Sequence, residues 1–186
     1  MAALPRIEGE GFVLRPWQAA DLDSLVLHAN DEAVSRTVSD RFPFPYTKQD
    51  AEEFLHEPAK PPAIVLAIEI DGVAVGGIDV RPGAAEFRIG GEIGYWLARR
   101  YWGRGIMSRV VACWCRYLFA EHGFERLQAA VFANNPGSAR VLEKAGFQRE
   151  GILRRAVIKH GRILDLWMYA MLRSAPTNSK QSARDD

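Results

Sequence analysis

Apolar residues recur along the chain with two spacings, and each change from one to the other marks an element boundary. Residues 11–17 (GFVLRPW) mix β-branched and aromatic side chains up to Pro16, which has no amide to donate, so they predict a first strand at a sheet edge. Asp21 is placed to cap a helix in which Leu22, Leu25, Val26 and Ala29 recur at helical spacing as far as Asn30. A short helix follows over 32–37. Residues 41–46 hold Pro43 and Pro45 among three aromatics, a composition that breaks regular structure and leaves an adhesive loop. Thr47 opens another helix, with Asp50 in the capping-box position three residues on.

Residues 63–70 and 73–80 are apolar, β-branched runs separated by Asp71 and Gly72, a strong hairpin signal, and are expected to pair antiparallel. A strand over 90–97, a long helix over 103–122 ended by Gly123 and a strand over 126–133 make a strand-helix-strand unit. Asn135, Pro136 and Gly146 bracket a further helix, whose apolar side is Ala139, Val141, Leu142 and Ala145. Residues 147–159 and 163–172 read as two strands joined through His160 and Gly161, and the whole pattern is α+β.

The 186 residues suit one domain over 1–173, followed by a polar, frayed tail over 174–186. Lys and Arg number 24 against 23 Asp and Glu, so there is no global positive field to hold a nucleic acid as main partner. No secretory pattern opens the chain and no apolar run reaches membrane-spanning length; a cytoplasmic location with no membrane partner is expected. Cys113 and Cys115, two apart on a helix, point to different faces and read as buried thiols in a reducing compartment. His28, His56, His122 and His160 are scattered without metal-ligand spacing, so no metal is expected.

Chemistry concentrates where the strand over 90–97 turns into the long helix. Two glycines, Gly103 and Gly105, sit at a helix start, where unsatisfied amides and the positive end of the helix dipole favour an anion. Arg99, Arg100 and Arg104 add charge; each reads either as a phosphate ligand or as a solvated surface residue. The turn is neither a Walker loop, lacking the Gly-Lys-Ser/Thr ending, nor a dinucleotide fingerprint, because Ser108 stands where a third glycine would.

The run Arg100-x-x-Gly103-x-Gly105 resembles the acyl-CoA pyrophosphate motif of the GNAT acetyltransferase superfamily. Glu92-Ile93-Gly94-Tyr95-Trp96-Leu97 before it, and Asn134-Asn135-Pro136-Gly137-Ser138, Val141 to Phe147 and Glu150 to Arg154 after it, are similar to the RimJ and RimL protein N-terminal acetyltransferase branch. The resemblance spans roughly residues 12–172. It implies a mixed, mostly antiparallel central sheet flanked by helices, with acetyl-CoA as co-substrate. Trp96, Leu97 and Ala98 would end a strand that splays from its neighbour and pairs with the pantetheine arm. The amides from Arg100 through Trp102, Gly103, Arg104 and Gly105 to Ile106 would hold the pyrophosphate, Asn135 would contact the arm, and Ser138 would lie near the thiol. Met107 departs from the pattern, standing where relatives commonly have a small residue, and Gly90 and Gly91 leave the direction of Glu92 open.

Aminolysis of a thioester needs a neutral amine, a polarised carbonyl and, at most, a proton for the thiolate. Strand amides near Leu97 are candidates to polarise the carbonyl. Glu92 reads either as the base, acting through a water, or as an exposed charge at a strand start. Ser138 reads as donor to the thiolate or as a polar residue in a first helical turn, and Asn135 as helix cap and cofactor contact together. Phe42, Phe44, Tyr46, Trp96 and Trp167 wall an acceptor pocket or belong to the core; Tyr169 reads as core or as a general acid.

The expectation is an N-acetyltransferase acting on a primary amine by direct attack. The acceptor is a peptide N-terminal α-amine, or a small amine such as a polyamine, amino acid or antibiotic. A non-catalytic acyl-CoA-binding module is the alternative. An exposed final strand would allow a homodimer by edge pairing.

Overall fold

A computed structural model describes residues 4–57 and 63–174; the tail expected over 174–186 lies outside the described residues from 175 onward. Eight strands form one sheet: β1 (Ile7–Gly9), β2 (Phe12–Arg15), β3 (Ile64–Ile70), β4 (Val73–Pro82), β5 (Gly90–Leu97), β6 (Arg126–Phe132), β7 (Gln148–Lys159) and β8 (Arg162–Leu172). Their order is β1-β2-β3-β4-β5-β6-β8-β7. Among the described residues only β5 and β6 pair in parallel. The sheet is mixed and mostly antiparallel, as the resemblance implied.

Among the described residues five α-helices accompany it: α1 (Leu22–Ala29), α2 (Glu32–Ser35), α3 (Lys48–His56), α4 (Ile106–Glu121) and α5 (Pro136–Ala145). The main core joins the sheet to α4 and α5. Trp114, Val110 and Leu118 of α4 are fully buried there with Ile78, Val80 and Leu127 from the strands. At about 1.5–3 kcal/mol for each large apolar side chain withdrawn from water, this cluster fixes α4 firmly. Leu25 and Ala29 of α1 and Ala51 of α3 form a second cluster with Tyr46, against Trp17, Phe42, Phe54 and Trp96.

Local chemistry explains most boundaries. The β3–β4 hairpin turns at Asp71 and Gly72, both with positive φ (50° and 79°), as an Asp-Gly turn requires. Thr47 accepts from the Asp50 amide and completes the expected capping box of α3.

Four expectations are corrected. The strand over 11–17 is not at an edge: β2 is paired on both sides because the short β1 precedes it. Asp21 occupies the N-cap of α1 without capping it; its carboxylate is taken by Arg15 and by the Gln18 amide. The helix expected from 103 begins at Ile106, since Gly103 and Gly105 hold positive φ (74° and 71°) and keep the chain out of the helix. The final strand β8 lies between β6 and β7, so the open edge on that side belongs to β7.

Candidate functional site

The site lies where β5 and β6 part. Their parallel pairing runs from Gly90↔Arg126 to Glu92↔Gln128 and ends, while β5 stays paired with β4 as far as Leu97↔Gly76. Ala98 N–H donates to Val75 C=O, Gly83 N–H to Gly90 C=O, and Glu125 N–H to Ile89 C=O. These three bonds set the alternation: even-numbered residues of β5 turn their backbone groups to β4, and odd-numbered ones turn toward β6. Tyr95 and Leu97 therefore present backbone groups to the opening that β6 vacates. The Leu97 carbonyl is engaged by Trp102 Nε1 at 2.7 Å, which ties the glycine turn to the end of the strand.

A cavity of about 350 Å³ runs from this opening to the start of α4, touching Trp96, Leu97, Trp102, Gly103, Gly105 and Ile106. Met107 and Ser108 also border it. The first amides of α4 have no partner within the helix and stand with the positive end of its dipole, so this end suits a phosphate. Met107 is also packed into the core beneath.

Asn135 and Ser138 line the same cavity from α5. Asn135 caps that helix, its Oδ1 accepting from the Ser138 amide at 3.1 Å. Tyr95 Oη lies 2.8 Å from Ser138 Oγ and donates toward the Ser138 carbonyl at 3.3 Å. Burial raises the Tyr95 phenol well above its ordinary value, so it stays protonated.

The cations that border this cavity differ from those singled out in the sequence. Arg100 is turned away, with Nη2 3.3 Å from His28 Nε2 and 3.0 Å from Tyr101 Oη. Arg104 stacks on the Tyr101 ring. Neither borders the cavity, nor do Arg99 and the buried Ala98, whereas Arg140 and Lys144 of α5 do. Those two were legible as a basic i, i+4 pair opposite the apolar side of α5.

A second, larger cavity of about 830 Å³ opens on the other side of β5 and shares Thr37, Tyr95, Trp96, Asn135 and Ser138 with the first. Phe42, Tyr46 and Trp96 wall it, while Phe44 and Trp167 do not. Glu92 points into it despite Gly90 and Gly91, with Oε1 3.8 Å from Arg81 Nη2. Asp79 of β4, missed in the sequence, lies on the same floor. Its signal was a lone acid inside the apolar run from Val73 to Val80.

Other candidates sit elsewhere. Tyr169 is buried and donates to Glu143 at 2.9 Å, a core role. Cys113 and Cys115 are free and buried, and burial pushes the Cys115 thiol up to about 12, leaving it unreactive. Among the described residues there is no cluster of three or more metal-ligating side chains and no helix long and apolar enough to cross a membrane.

Known proteins share this fold. The chain is 37% identical over 82 residues to an uncharacterized N-acetyltransferase, p20, of Bacillus licheniformis, covering 44% of this chain and 46% of the relative. It thus spans about half the length of that curated relative. A crystal structure described as an acetyltransferase from T. thermophilus superposes with a TM-score of 0.76 at 30% identity, covering 92% of both chains. Mycobacterium smegmatis RimJ, solved with CoA-disulfide, shares the fold with a TM-score of 0.75 at 22% identity, over 91% of this chain and 86% of that one. A family profile described as acetyltransferase (GNAT) domain matches residues 12–148, from β2 to the start of β7, and the chain belongs to that family.

Proposed function

We propose that the protein transfers an acetyl group from acetyl-CoA to a primary amine by direct attack within a ternary complex. The observation that carries this reading is the meeting of the two cavities at Tyr95, Trp96, Asn135 and Ser138. A thioester threaded along the narrow cavity reaches an amine held in the wide one, and alignment of this kind supplies much of the rate of such a reaction.

In this reading the pyrophosphate rests on the amides of Ile106, Met107 and Ser108, with Arg140 and Lys144 beside it. The pantetheine arm takes the place that β6 leaves beside Tyr95 and Leu97, and the Leu97 amide polarises the carbonyl. The Tyr95 hydroxyl, hydrogen-bonded to Ser138, supplies the proton for the departing thiolate. Glu92, on the cavity wall, carries the amine's proton toward solvent through a water.

For the acceptor we favour a peptide N-terminal α-amine. The wide cavity has room for the end of a chain, and RimJ shares the fold. The free, buried cysteines fit a reducing cytoplasm.

The test is CoA thiol release from acetyl-CoA over a panel of peptides and small amines, with Glu92→Gln alongside. Saturable, amine-dependent release that falls in the variant supports transfer with Glu92 in the proton path. CoA binding without release over the whole panel would replace this reading with that of a binding module.

A further inference from the structure

Two buried side-chain polar atoms have no hydrogen-bond partner among the described residues: Asp79 Oδ1, an acceptor, and Trp17 Nε1, a donor. Both residues border the wide cavity. An unpaired buried polar atom costs about 1–3 kcal/mol. Two such atoms of opposite kind around one cavity mark a place shaped for a bound molecule.

The strands explain how Asp79 reaches the reacting region. It stands opposite Gly94 in the β4–β5 ladder. A Cβ at position 94 would lie 2.8 Å from Asp79 Oδ2 and 3.1 Å from Oδ1, so the missing side chain lets the carboxylate lean across β5. Arg81 Nε, at 3.5 Å, is at ion-pair distance from Oδ1 without hydrogen-bonding it, and the same guanidinium faces Glu92. Arg41, Asp50 and Glu53 border the cavity from the helical side. Burial pushes the Asp79 carboxyl up, opposed by the charge of Arg81 and by the Gly94 amide, with Glu92 adding to the rise. Such a carboxylate gains when a cation enters.

Trp17 stands close by. Gly77 is two residues before Asp79 on the same face of β4, and a Cβ there would meet Trp96 Nε1 at 2.8 Å and Trp17 Cζ2 at 3.4 Å. Both indoles thus close over the strand beside the carboxylate, and Phe54 meets Trp17 edge-on, with centroids 5.4 Å apart.

We propose that Asp79 and Trp17 recognise the acceptor together: Asp79 binds its ammonium group and takes the first proton, while Trp17 donates its indole N–H to an oxygen of the same molecule. The pair selects primary amines that carry a carbonyl or hydroxyl over plain alkyl amines. It rests on reading the wide cavity as the acceptor side of acetyl transfer. The ammonium gives one proton to Asp79, which passes it by way of Glu92 to solvent. The freed lone pair forms the C–N bond, the C–S bond breaks, and the second nitrogen proton reaches the thiolate through Tyr95. Amide, CoA thiol and one proton result.

Two ligands that share a ring and an amine separate the two contacts: L-phenylalaninamide, which has a carbonyl, and phenethylamine, which has none. Calorimetric titration into the full-length protein with CoA bound is expected to show tighter binding of the amide. Asp79→Asn should weaken both ligands at least about tenfold with CoA affinity within about twofold. Trp17→Phe should bring phenylalaninamide down to the level of phenethylamine and leave phenethylamine unchanged. Equal binding of the two ligands, failure of both to bind, or undiminished binding in Asp79→Asn overturns the pair.

Turnover tests the reading beneath it. With L-phenylalaninamide as acceptor, Asp79→Asn should lower kcat/KM by about 100-fold and abolish the acid limb of its pH profile. If the ligands bind as expected but no thiol is released, acetyl transfer fails and the recognition pair stands. If the wild type turns over and Asp79→Asn matches it, the pair fails and transfer stands.

Discussion

The hydroxyls of Tyr95 and Ser138 lie 2.8 Å apart and join β5 to α5 across the opening that β6 leaves. One sits on the strand and the other in the first turn of the helix, so their contact spans the boundary shared by the two cavities. Burial keeps the Tyr95 phenol protonated beyond its ordinary range, which makes it a donor across the physiological span.

Tyr95→Phe is therefore expected to lower kcat by roughly 10- to 100-fold while leaving KM for acetyl-CoA within about threefold, since the aromatic packing survives. The wild type should show no alkaline limb from Tyr95 below its ordinary pKa of about 10. Steady-state kinetics across pH check both points; an unchanged kcat in the variant would remove Tyr95 from the proton path.

The glycine turn predicts a different signature. Gly105 has φ 71°, and a Cβ there would make only an ordinary 3.5 Å contact with Arg109 Nη1. Gly105→Ala should then act through backbone strain, of about 1–2 kcal/mol, and weaken CoA roughly tenfold as the first amides of α4 shift. Arg140→Ala should weaken CoA more than Arg100→Ala, because Arg140 borders the cavity while Arg100 is occupied by His28 and Tyr101. CoA titrations of the three variants decide it, and a larger effect at Arg100 would contradict this assignment of the cations.

Arg15 ties three elements of the fold together. Its guanidinium is buried and grips Asp21 with two bonds of 2.7 and 2.8 Å while pairing with Glu69, so β2, β3 and the turn before α1 meet at one residue. The Asp21 bonds, opposed by burial and joined by those of Glu69, hold the guanidinium even more firmly charged than usual. Arg15→Met strands two carboxylates and should cost about 3–5 kcal/mol. Arg15→Lys keeps the charge, loses the fork and should fall between. Denaturant midpoints measure both, and a loss under about 1 kcal/mol in Arg15→Met would show that the network adds little.

The elements were legible wherever a local signal carried them. Asp71-Gly72, Thr47 with Asp50, and Asn135-Pro136 closed by Gly146 each dictate a turn or cap through their own backbone preferences, and each stands as read. Long-range pairing was not legible. Nothing near 11–17 announces that β1 will cover that edge, and nothing near Asp21 announces that Arg15 will take its carboxylate from the helix. At the site, motif residues such as Gly105, Asn135 and Ser138 fell together around one cavity, but Arg100 did not, because its partner His28 comes from another helix. Asp79 showed only as a lone acid in an apolar run, because its importance depends on the absence of a side chain at Gly94, one strand away.

That dependence yields a prediction for stability as well as for chemistry. The folded protein holds the Asp79 carboxyl above its unfolded value of about 3.9, mainly by burial, so between the two values the folded state binds the proton more tightly. By linkage, stability falls as pH rises through that window and stays reduced above it; the contribution is retained only while the group is protonated in both states. Asp79→Asn removes the buried charge while keeping the shape. The variant should melt higher than the wild type at pH 7, with the gap closing as pH approaches 4, even as its turnover collapses. Arg81 loses a neighbour in the variant, but it is half exposed and still faces Glu92, so this offsets little of the gain. A variant that melts lower than the wild type at pH 7 would mean that Arg81 and Gly94 more than repay the burial of Asp79, and the carboxylate would then be a structural group. A variant that is both more stable and inactive places the strain where the acceptor's cation would relieve it.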